Sequence, residues 1–410
     1  MTPEGWRTGV LGDDVELASG QHVLAEECSV EPIGTPYLTG PSDFPDGRII
    51  VSRYVRIPKV MCQKGDILLT IKGSGTGQFA VADEAYCISR QLAAIRPRRW
   101  NAGFISHILA ASRVRLRADA AGLIPGLSRD DIFGIGLLIP PLPEQRKIAA
   151  ILSSVDDAIE ASQVVIDQLQ VVKKAMMAEL LTKGLPGRHK KFKQTEIGQV
   201  PEGWEVVTLA NLCAPDGVQT GPFGSQLKAS EYSPDGIPVV MPKDLIAGRI
   251  SADTVARVPE SRAQDLAHHR VLPGDVLFAR RGDIGRCALV RSHERGWLCG
   301  TGCLRARPRK VVDSAFLATY FGHEIPIQWL NEHAVGQTML NLNTEILGGV
   351  PVALPSMTEQ VAIASAFQVV DERVQRESDS LVVLSKLKSA LMSVLLTGEV
   401  RVRVDKDAAA

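Results

Sequence analysis

Two glycine-rich segments place basic side chains where a loop could meet phosphate. They are KGSGTGQ at 72–78 and RRGDIGR at 280–286, and each follows an apolar, strand-like run. Glycines allow a tight turn that exposes backbone N–H groups, and a neighbouring Lys or Arg adds positive charge for phosphate. A dinucleotide or adenosyl-methionine loop is a weaker interpretation, because neither segment has the G-x-G-x-x-G spacing with a later acidic residue. A purely structural tight turn is the default interpretation of both segments.

Side chains that commonly catalyse reactions form no recognisable set. The sequence has no GKS or GKT phosphate loop, no HExxH, no Asp/Asn-Pro-Pro-aromatic element of an amino-methyltransferase and no PD…(D/E)xK nuclease pattern. Five histidines do not combine with Ser or Cys in any familiar spacing: His107, His268, His269, His323 and His333. We therefore predict that the chain is not an enzyme.

The seven cysteines indicate neither a metal site nor a disulfide framework. They are odd in number and scattered without a CxxC motif. The closest pair, Cys299 and Cys303, has no second pair or histidine cluster to complete a zinc site. We predict reduced thiols and no metal.

Composition predicts a globular protein with more than one domain. The chain has 410 residues with 45% hydrophobic content, enough for two or three domains with their own cores. No apolar run approaches the roughly 20 residues of a membrane span, and the N-terminus does not resemble a signal peptide, so we expect a cytoplasmic location. Because the formal net charge is zero, binding to nucleic acid would require local basic clusters or a partner that brings more positive charge.

An internal duplication organises the chain. PEQRKIAAILSSVDDAI at 143–159 returns, in divergent form, as TEQVAIASAFQVVDERV at 358–374. PEGW occurs at both 3–6 and 201–204, and KGDILLTIKGSGTG has its counterpart in PGDVLFARRGDIGR. Each repeat therefore contains PEGW, a strand with a Gly-rich turn, and a helical segment, in that order.

The helical segment of each repeat carries a narrow apolar seam. Steps of four and three residues give the same pattern in both copies, with polar breaks at Ser162 and Lys173 and again at Glu377 and Lys388. A helix of roughly 39 residues is about 58 Å long, more than one small domain needs. We predict that the two helices pack on each other; the alternative is that each docks on its own domain. The seam residues are Ile148, Leu152, Val155, Ile159, Ile166 and Leu169, and Ile363, Phe367, Val370, Val374, Leu381 and Leu384.

The helix boundaries also carry signals. Pro143 and Glu144 are typical of a first helical turn, and Ser356 with Glu359 has the S-x-x-E spacing of a capping box. Gly184 and Gly398 stand where glycines end helices. The Gly-, Pro- and Lys-rich stretch after the first helix predicts an exposed linker.

The predicted fold is α/β, with two tandem mixed α/β heads separated by two long antiparallel, coiled-coil-like helices in a pseudo-two-fold internal repeat. Strand-like runs such as DILLTI and DVLFA occur at matching places in the two heads. The predicted boundaries are head one at 1–142, the first helix at 143–184, a linker at 185–200, head two at 201–355, the second helix at 356–399 and a tail at 400–410.

These motifs resemble the specificity (S) subunit of type I restriction-modification enzymes. The resemblance rests on LIPPLPEQRKIAAILSSVDDAI and VALPSMTEQVAIASAFQVVDERV, each behind a divergent head that opens on PEGW, and on TGPFGSQLK and GDVLFARRGDIGR. It implies two target recognition domains that read a bipartite site in double-stranded DNA, and helices that dock two modification (methyltransferase) subunits. Restriction (translocase and endonuclease) subunits then join. S-adenosylmethionine, ATP and Mg are expected on those partners, with no cofactor in this chain. Thr358 departs from the pattern where the first copy has Pro143.

Candidate contact residues follow from position and side-chain chemistry. Arg and Gln offer paired hydrogen bonds to guanine and adenine edges. The DNA candidates are Lys72, Gln78, Arg90 and Gln91 in head one, and Gln226, Lys228, Arg280, Arg281 and Arg286 in head two. The helix starts supply Gln145, Arg146 and Gln360 as candidate partner contacts. A non-catalytic, two-headed protein-interaction scaffold is the competing interpretation of the same architecture.

Overall fold

The computed structural model describes residues 2–73, 75–119, 126–223, 226–336 and 340–404. The chain divides into two compact units, one made of Met1–Val164 with Ser378–Ala410 and the other of Val165–Glu377. Each unit therefore contains one head together with part of each long helix.

Head one is built around a four-stranded antiparallel sheet with the order β2-β9-β6-β7. A second group of short strands includes the parallel pair β4 and β8, and β1 pairs with β10. The strands are β1 Arg7–Val10, β2 Val15–Ser19, β3 Cys28–Ser29, β4 Thr35–Leu38, β5 Tyr54–Val55, β6 Ile67–Thr70, β7 Phe79–Val81, β8 Cys87–Ile88, β9 Leu92–Pro97 and β10 Gly136–Ile139; the helices are α1 Ala102–Asp119 and α2 Arg129–Phe133.

Head two has the same sheet order, β14-β22-β19-β20. Here β15 is parallel to β21, and β13 pairs with β23. The strands of this unit are β11 Phe192–Thr195, β12 Gly198–Pro201, β13 Glu205–Thr208, β14 Cys213–Thr220, β15 Ile237–Val240, β16 Leu245–Ile246, β17 Arg249–Ile250, β18 Ala256–Val258, β19 Val276–Ala279, β20 Cys287–Leu289, β21 Leu298–Cys299, β22 Cys303–Pro308 and β23 Pro351–Leu354; its short helices are α4 Leu209–Leu212, α5 Glu260–Asp265, α6 Ser314–Phe321, α7 Glu324–His333 and α8 Thr344–Gly349.

One of the two inner strands of each sheet, β6 in head one and β19 in head two, is covered on both faces. In β6, Ile67 and Leu69 join the core that contains α1, whereas Leu68 joins a separate core on the opposite face. The same alternation divides Phe278 and Leu277 of β19 between two cores. Since neighbouring strand residues point to opposite faces, a strand between two cores carries consecutive apolar residues, as ILL at 67–69 and VLFA at 276–279 show.

The two long helices are α3 Leu142–Lys183 and α9 Met357–Leu395. In the first unit Asp156 of α3 bonds Lys388 of α9 at 2.5 Å, and in the second unit Lys173 of α3 bonds Asp371 of α9 at 2.5 Å. Glu144, earlier in α3, contacts Arg401 beyond the end of α9, so the helix segments run antiparallel within the first unit. The two lysines are two of the four polar breaks of the seam, and each has an aspartate as its partner.

The seam residues are all buried or half-buried. Those near the start of each helix, such as Leu152 and Phe367, are at most 1% exposed, whereas Ile159, Leu169, Val370, Val374, Leu381 and Leu384 are half-buried. The start of α3 packs in one core with its own head and with Leu395 of α9. Within each unit, helix-to-helix packing and docking on the head therefore occur together, although the sequence presented them as alternatives.

The repeated PEGW and EQ motifs contact each other. Trp6 Nε1 donates to Glu144 Oε2 at 2.9 Å in the first unit, and Trp204 Nε1 donates to Glu359 Oε2 at 3.3 Å in the second. The glutamate that begins each long helix thus joins that helix to the opening segment of its head. The Glu359 carboxylate accepts from Trp204 in this joint, while the Glu359 backbone N–H donates to Ser356 O at 2.9 Å.

Glycines end both helices in the left-handed conformation that was predicted. Gly184 has φ of +78° and Gly398 has φ of +71°. A side chain at Gly398 would also lie 2.5 Å from Pro3 and 3.2 Å from the Trp6 ring, so lack of a Cβ is needed for space as well as for backbone geometry.

Residues 185–200 are part of the second unit and not merely an exposed linker. Leu185 packs against its core, Val200 is 2% exposed, and β11 and β12 form a hairpin. His189 lies 2.8 Å from Glu359 Oε1. These contacts could not be predicted from the basic, Gly-rich composition of the segment, because their partners lie far along the chain. None of the helices in the described ranges combines the length and apolarity needed to cross a membrane.

Candidate nucleic-acid interface

In head one, three connections meet at one end of the sheet. The loop 71–78 joins β6 to β7, the turn 89–91 precedes β9, and residues 20–22 follow β2. Ile71 N donates to Gln91 O at 2.8 Å, and Gly20 N donates to Leu92 O at 2.9 Å. We call the described residues of these three segments the loop end of head one.

Head two has a corresponding loop end, formed by residues 221–223, 280–286 and 300–302. Gly221 N donates to Cys303 O at 2.9 Å, and Arg280 N donates to Gly302 O at 2.8 Å. Gly20 and Gly221 are equivalent, since a side chain on either would lie within 2.1 Å of a carbonyl oxygen of the neighbouring turn. The two heads therefore present different residues on the same local frame.

At the end of each sheet opposite the loop end, an ion pair stabilises the arrangement of the strands. Arg96 binds Asp66 through two bonds of 2.8 and 2.7 Å, and Arg307 binds Asp275 through two bonds of the same lengths. Bidentate pairs of this kind fix orientation as well as charge. Asp66 and Asp275 are the aspartates of the repeated GD motifs. These ion pairs therefore explain why both repeats contain the motif.

The four DNA candidates of head one all lie at its loop end. Lys72, Arg90 and Gln91 are exposed, and Gln78 is half-buried. The bond from Ile71 to Gln91 places the ends of β6 and β9 side by side, so Lys72 and Arg90 belong to one small surface. The structure thus brings together residues that the sequence separates by 18 positions.

The arginines at the loop end of head two differ in availability. Arg280 Nε donates to Asn341 Oδ1 at 3.0 Å and to Leu342 O at 2.9 Å, and burial together with neighbouring Arg281 lowers its pKa. Arg286 is exposed and pairs with Asp283 at 2.7 Å. Arg281 is exposed and forms no ion pair within the described part of the chain. Of the three, Arg281 is the most available for phosphate or base contact, and Arg280 acts first as an internal brace.

The remaining candidates of head two, Gln226 and Lys228, are exposed on the segment that leaves this loop end. Gln226 Oε1 accepts a bond from Phe223 N at 2.9 Å, so this side chain already stabilises the local turn. Lys228 keeps an exposed side chain beside buried Leu227.

Two residues at the loop end of head two were missed from sequence. Phe223 is 54% exposed, with the Arg280 guanidinium 5.6 Å from its ring centroid. Thr301, which corresponds to Arg90 in head one, has a buried hydroxyl with no hydrogen-bond partner among the described residues. The TGPFGSQLK motif contained the signal for Phe223, because it places an aromatic residue in a Gly-rich loop.

The expected partner contacts at the helix starts need correction. Gln145 and Gln360 are 2% and 1% exposed. Gln145 Nε2 donates to Pro140 O at 2.9 Å while its Oε1 accepts from Asn101 N, and Gln360 makes the matching bonds to Pro355 O and Asp313 N. Both amides are thus used inside their own unit. Arg146 is exposed and remains a candidate.

Buried histidine and thiol side chains near this scaffold are held in their neutral forms. Burial, with His268 and Arg305 nearby, lowers the pKa of His269 to about 4, so its ring is neutral at physiological pH. Burial raises the pKa of Cys299 and Cys287 to about 12, which keeps both as thiols. In the described ranges, His, Cys, Asp and Glu form no group of three or more that could hold a metal ion.

Comparison with known proteins gives consistent matches over nearly the whole chain. The sequence profile described as type I restriction modification DNA specificity domain matches residues 3–170 and 201–384. The chain is 27% identical over 414 residues to the type I restriction enzyme MjaVIII specificity subunit of Methanocaldococcus jannaschii, covering 98% of this chain and 94% of that protein.

Solved structures are similar in fold. The crystal structure of a type I restriction-modification system S subunit from M. genitalium matches with a TM-score of 0.64 and 16% identity, over 95% of this chain and 96% of that one. A chain from a structure described as the basis of complex assembly and conformational transition of the type I R-M system matches with a TM-score of 0.52 and 17% identity, over 98% and 100%. At these identities the likeness is evidence for the fold alone.

Proposed function

Because this chain belongs to the family of type I restriction modification DNA specificity domains, we propose that it selects the DNA sequence on which a type I restriction-modification complex acts. Each head reads one part of a bipartite site in double-stranded DNA. The chain itself performs no chemistry in this proposal.

The observation that carries the proposal is the pair of equivalent loop ends with different residues. Head one presents Lys72, Arg90 and Gln91, whereas head two presents Phe223 and Arg281. Equivalent scaffolds that carry different side chains are suited to reading two different base sequences in the same manner. We therefore expect an asymmetric site with two dissimilar parts.

The two long helices serve as the spacer and as the docking region for modification subunits, and restriction subunits join through these. S-adenosylmethionine, ATP and Mg belong to the partner subunits. A formal net charge of zero supports this division, because the partners can supply many of the phosphate contacts. Arg146 is the candidate partner contact that is still available at a helix start.

Arg281→Ala is expected to weaken DNA binding by the assembled complex by roughly 5- to 10-fold. The salt dependence, as the slope of log K against log salt concentration, should decrease by about 1, because one phosphate contact is lost. Fluorescence anisotropy at several salt concentrations measures both. The control is Arg376→Ala, which removes the same charge from an exposed position on α9. An unchanged slope would remove Arg281 from the interface.

Selection from a random DNA library tests the proposed function itself. The complex with its modification subunits should enrich two fixed sequence elements separated by a constant length of unspecified bases. If the complex enriches no sequence while the chain still binds its protein partners, the two-headed scaffold is the better interpretation.

A further inference from the structure

Phe223 is an exposed aromatic side chain whose backbone N–H and carbonyl are both hydrogen-bonded. It is 54% exposed, yet its N–H donates to Gln226 Oε1 at 2.9 Å and its carbonyl accepts from Gln226 N at 2.8 Å. The carbonyl also accepts from Leu227 N at 3.2 Å, and Leu227 is 4% exposed within a core of head two. The backbone that carries the ring is thus anchored although the ring itself faces solvent.

Arg280, which is itself held by hydrogen bonds, also contacts the ring. The Arg280 guanidinium lies 5.6 Å from the ring centroid, within the range of a cation–π contact. Arg280 is held in turn by Asn341 Oδ1 and Leu342 O. The ring is therefore supported by a side chain that has little freedom to move, and more than half of its surface is still uncovered.

Two further exposed cations lie close to this ring or its arginine partner in the chain. Exposed Arg281 is adjacent to Arg280, and exposed Lys228 follows on the same loop as the ring. Apolar side chains held among cations commonly enter DNA between base steps, where they partly unstack the bases while the cations contact phosphates. Insertion into the base stack would give this exposed ring a role in DNA binding.

We propose that Phe223 is an apolar wedge that enters the base stack of the half-site read by head two. This inference rests on the proposed function, and it adds a second way in which head two could recognise its DNA sequence. The half-site would then be selected partly by how easily one of its base steps opens, in addition to direct contacts with base edges.

The wedge is confined to one head. Gly20 and Gly221 are bonded equivalently to β9 and β22, so the residue in head one that corresponds to Phe223 is His22. His22 is exposed, and its carbonyl accepts a bond from Lys59 Nζ at 3.2 Å. A small polar ring is a poor wedge, so unstacking caused by an inserted side chain is expected in one half-site only.

The test uses the assembled complex and duplexes of its target with 2-aminopurine at each position of both half-sites in turn. Modification subunits flip their target adenine out of the stack, which also raises the fluorescence. Wild-type complex should show one further increase, at a step of one half-site where no adenine is methylated. Phe223→Ala should abolish that increase and weaken binding by about tenfold, and Phe223→Trp should restore both. Phe192→Ala is the control, since Phe192 is also an exposed phenylalanine of the second unit, at 42%, but lies on the hairpin of β11 and β12.

The outcomes separate this inference from the proposed function. If the wild-type complex binds its site specifically and Phe223→Ala matches it within twofold with the same fluorescence, the wedge is contradicted and the proposed function stands. A wild-type complex that prefers no sequence would overturn both. Equal loss from Phe192→Ala and Phe223→Ala would also contradict the wedge, because the effect would not be specific to the loop end.

Discussion

Replacing Glu359 with alanine should lower the free energy of unfolding of the second unit by about 3–5 kcal/mol. The side chain is 1% exposed and accepts bonds from Trp204 Nε1 at 3.3 Å and Leu185 N at 3.1 Å, with His189 Nε2 at 2.8 Å. Burial opposes its charge, but the bond with His189 and the backbone bond from Leu185 outweigh burial and lower the pKa of Glu359 below its ordinary value of 4.5. Alanine would leave the buried Trp204 and Leu185 donors without an acceptor.

Denaturant unfolding together with hydrogen exchange of peptides from the second unit measures this effect. Glu372→Ala is the control, because Glu372 is an exposed glutamate on the same helix. Since the folded pKa of Glu359 is lowered, its contribution is complete above pH 4.5 and is lost as the pH falls through the folded value. Glu359→Gln should reduce that acid dependence. A loss below about 1 kcal/mol for Glu359→Ala would show that the joint between helix and head is not a main source of stability.

Phe367→Ala should destabilise the same unit by about 3–5 kcal/mol. Phe367 is 1% exposed and packs in one core with head-two residues such as Phe316 and with Leu180 from the end of α3. The substitution therefore removes contacts that join three parts of the unit and leaves a cavity among them.

Val370→Ala is the matched control, one turn later on the same seam. Val370 is half-buried, so its truncation should cost only about 1 kcal/mol. Urea unfolding of the three proteins under one set of conditions gives the comparison. Equal losses at the two positions would contradict the conclusion that seam residues near the helix starts belong to the head cores as well.

The sequence was most informative where structure follows a local period. The seam predicted helices at 143–184 and 356–399, and the structure has α3 Leu142–Lys183 and α9 Met357–Leu395. The mixed α/β heads and the family resemblance are confirmed by the fold and by the comparisons. Apolar runs also located β6 and β19 to within a residue or two, because strands between two cores must be apolar.

Contacts between distant parts of the chain were not predictable in this way. Glu144 lies 138 positions from Trp6 and 257 from Arg401, and no local pattern indicates that the three meet. The boundary between α6 and α7 at His323, whose side chain caps α7, was likewise not predicted. At the loop ends, sequence located the basic residues but could not show that Arg280 is bound internally, since Asn341 is 61 positions away.

Genome-wide mapping of DNA methylation tests the central claim most directly. A host carrying this chain with its modification subunits should show methylation at one asymmetric sequence made of two different elements with a gap of constant length. Deleting this chain alone should remove that methylation, and restoring it should bring the same sequence back. Methylation that persists without the chain, or a palindromic target, would contradict the account.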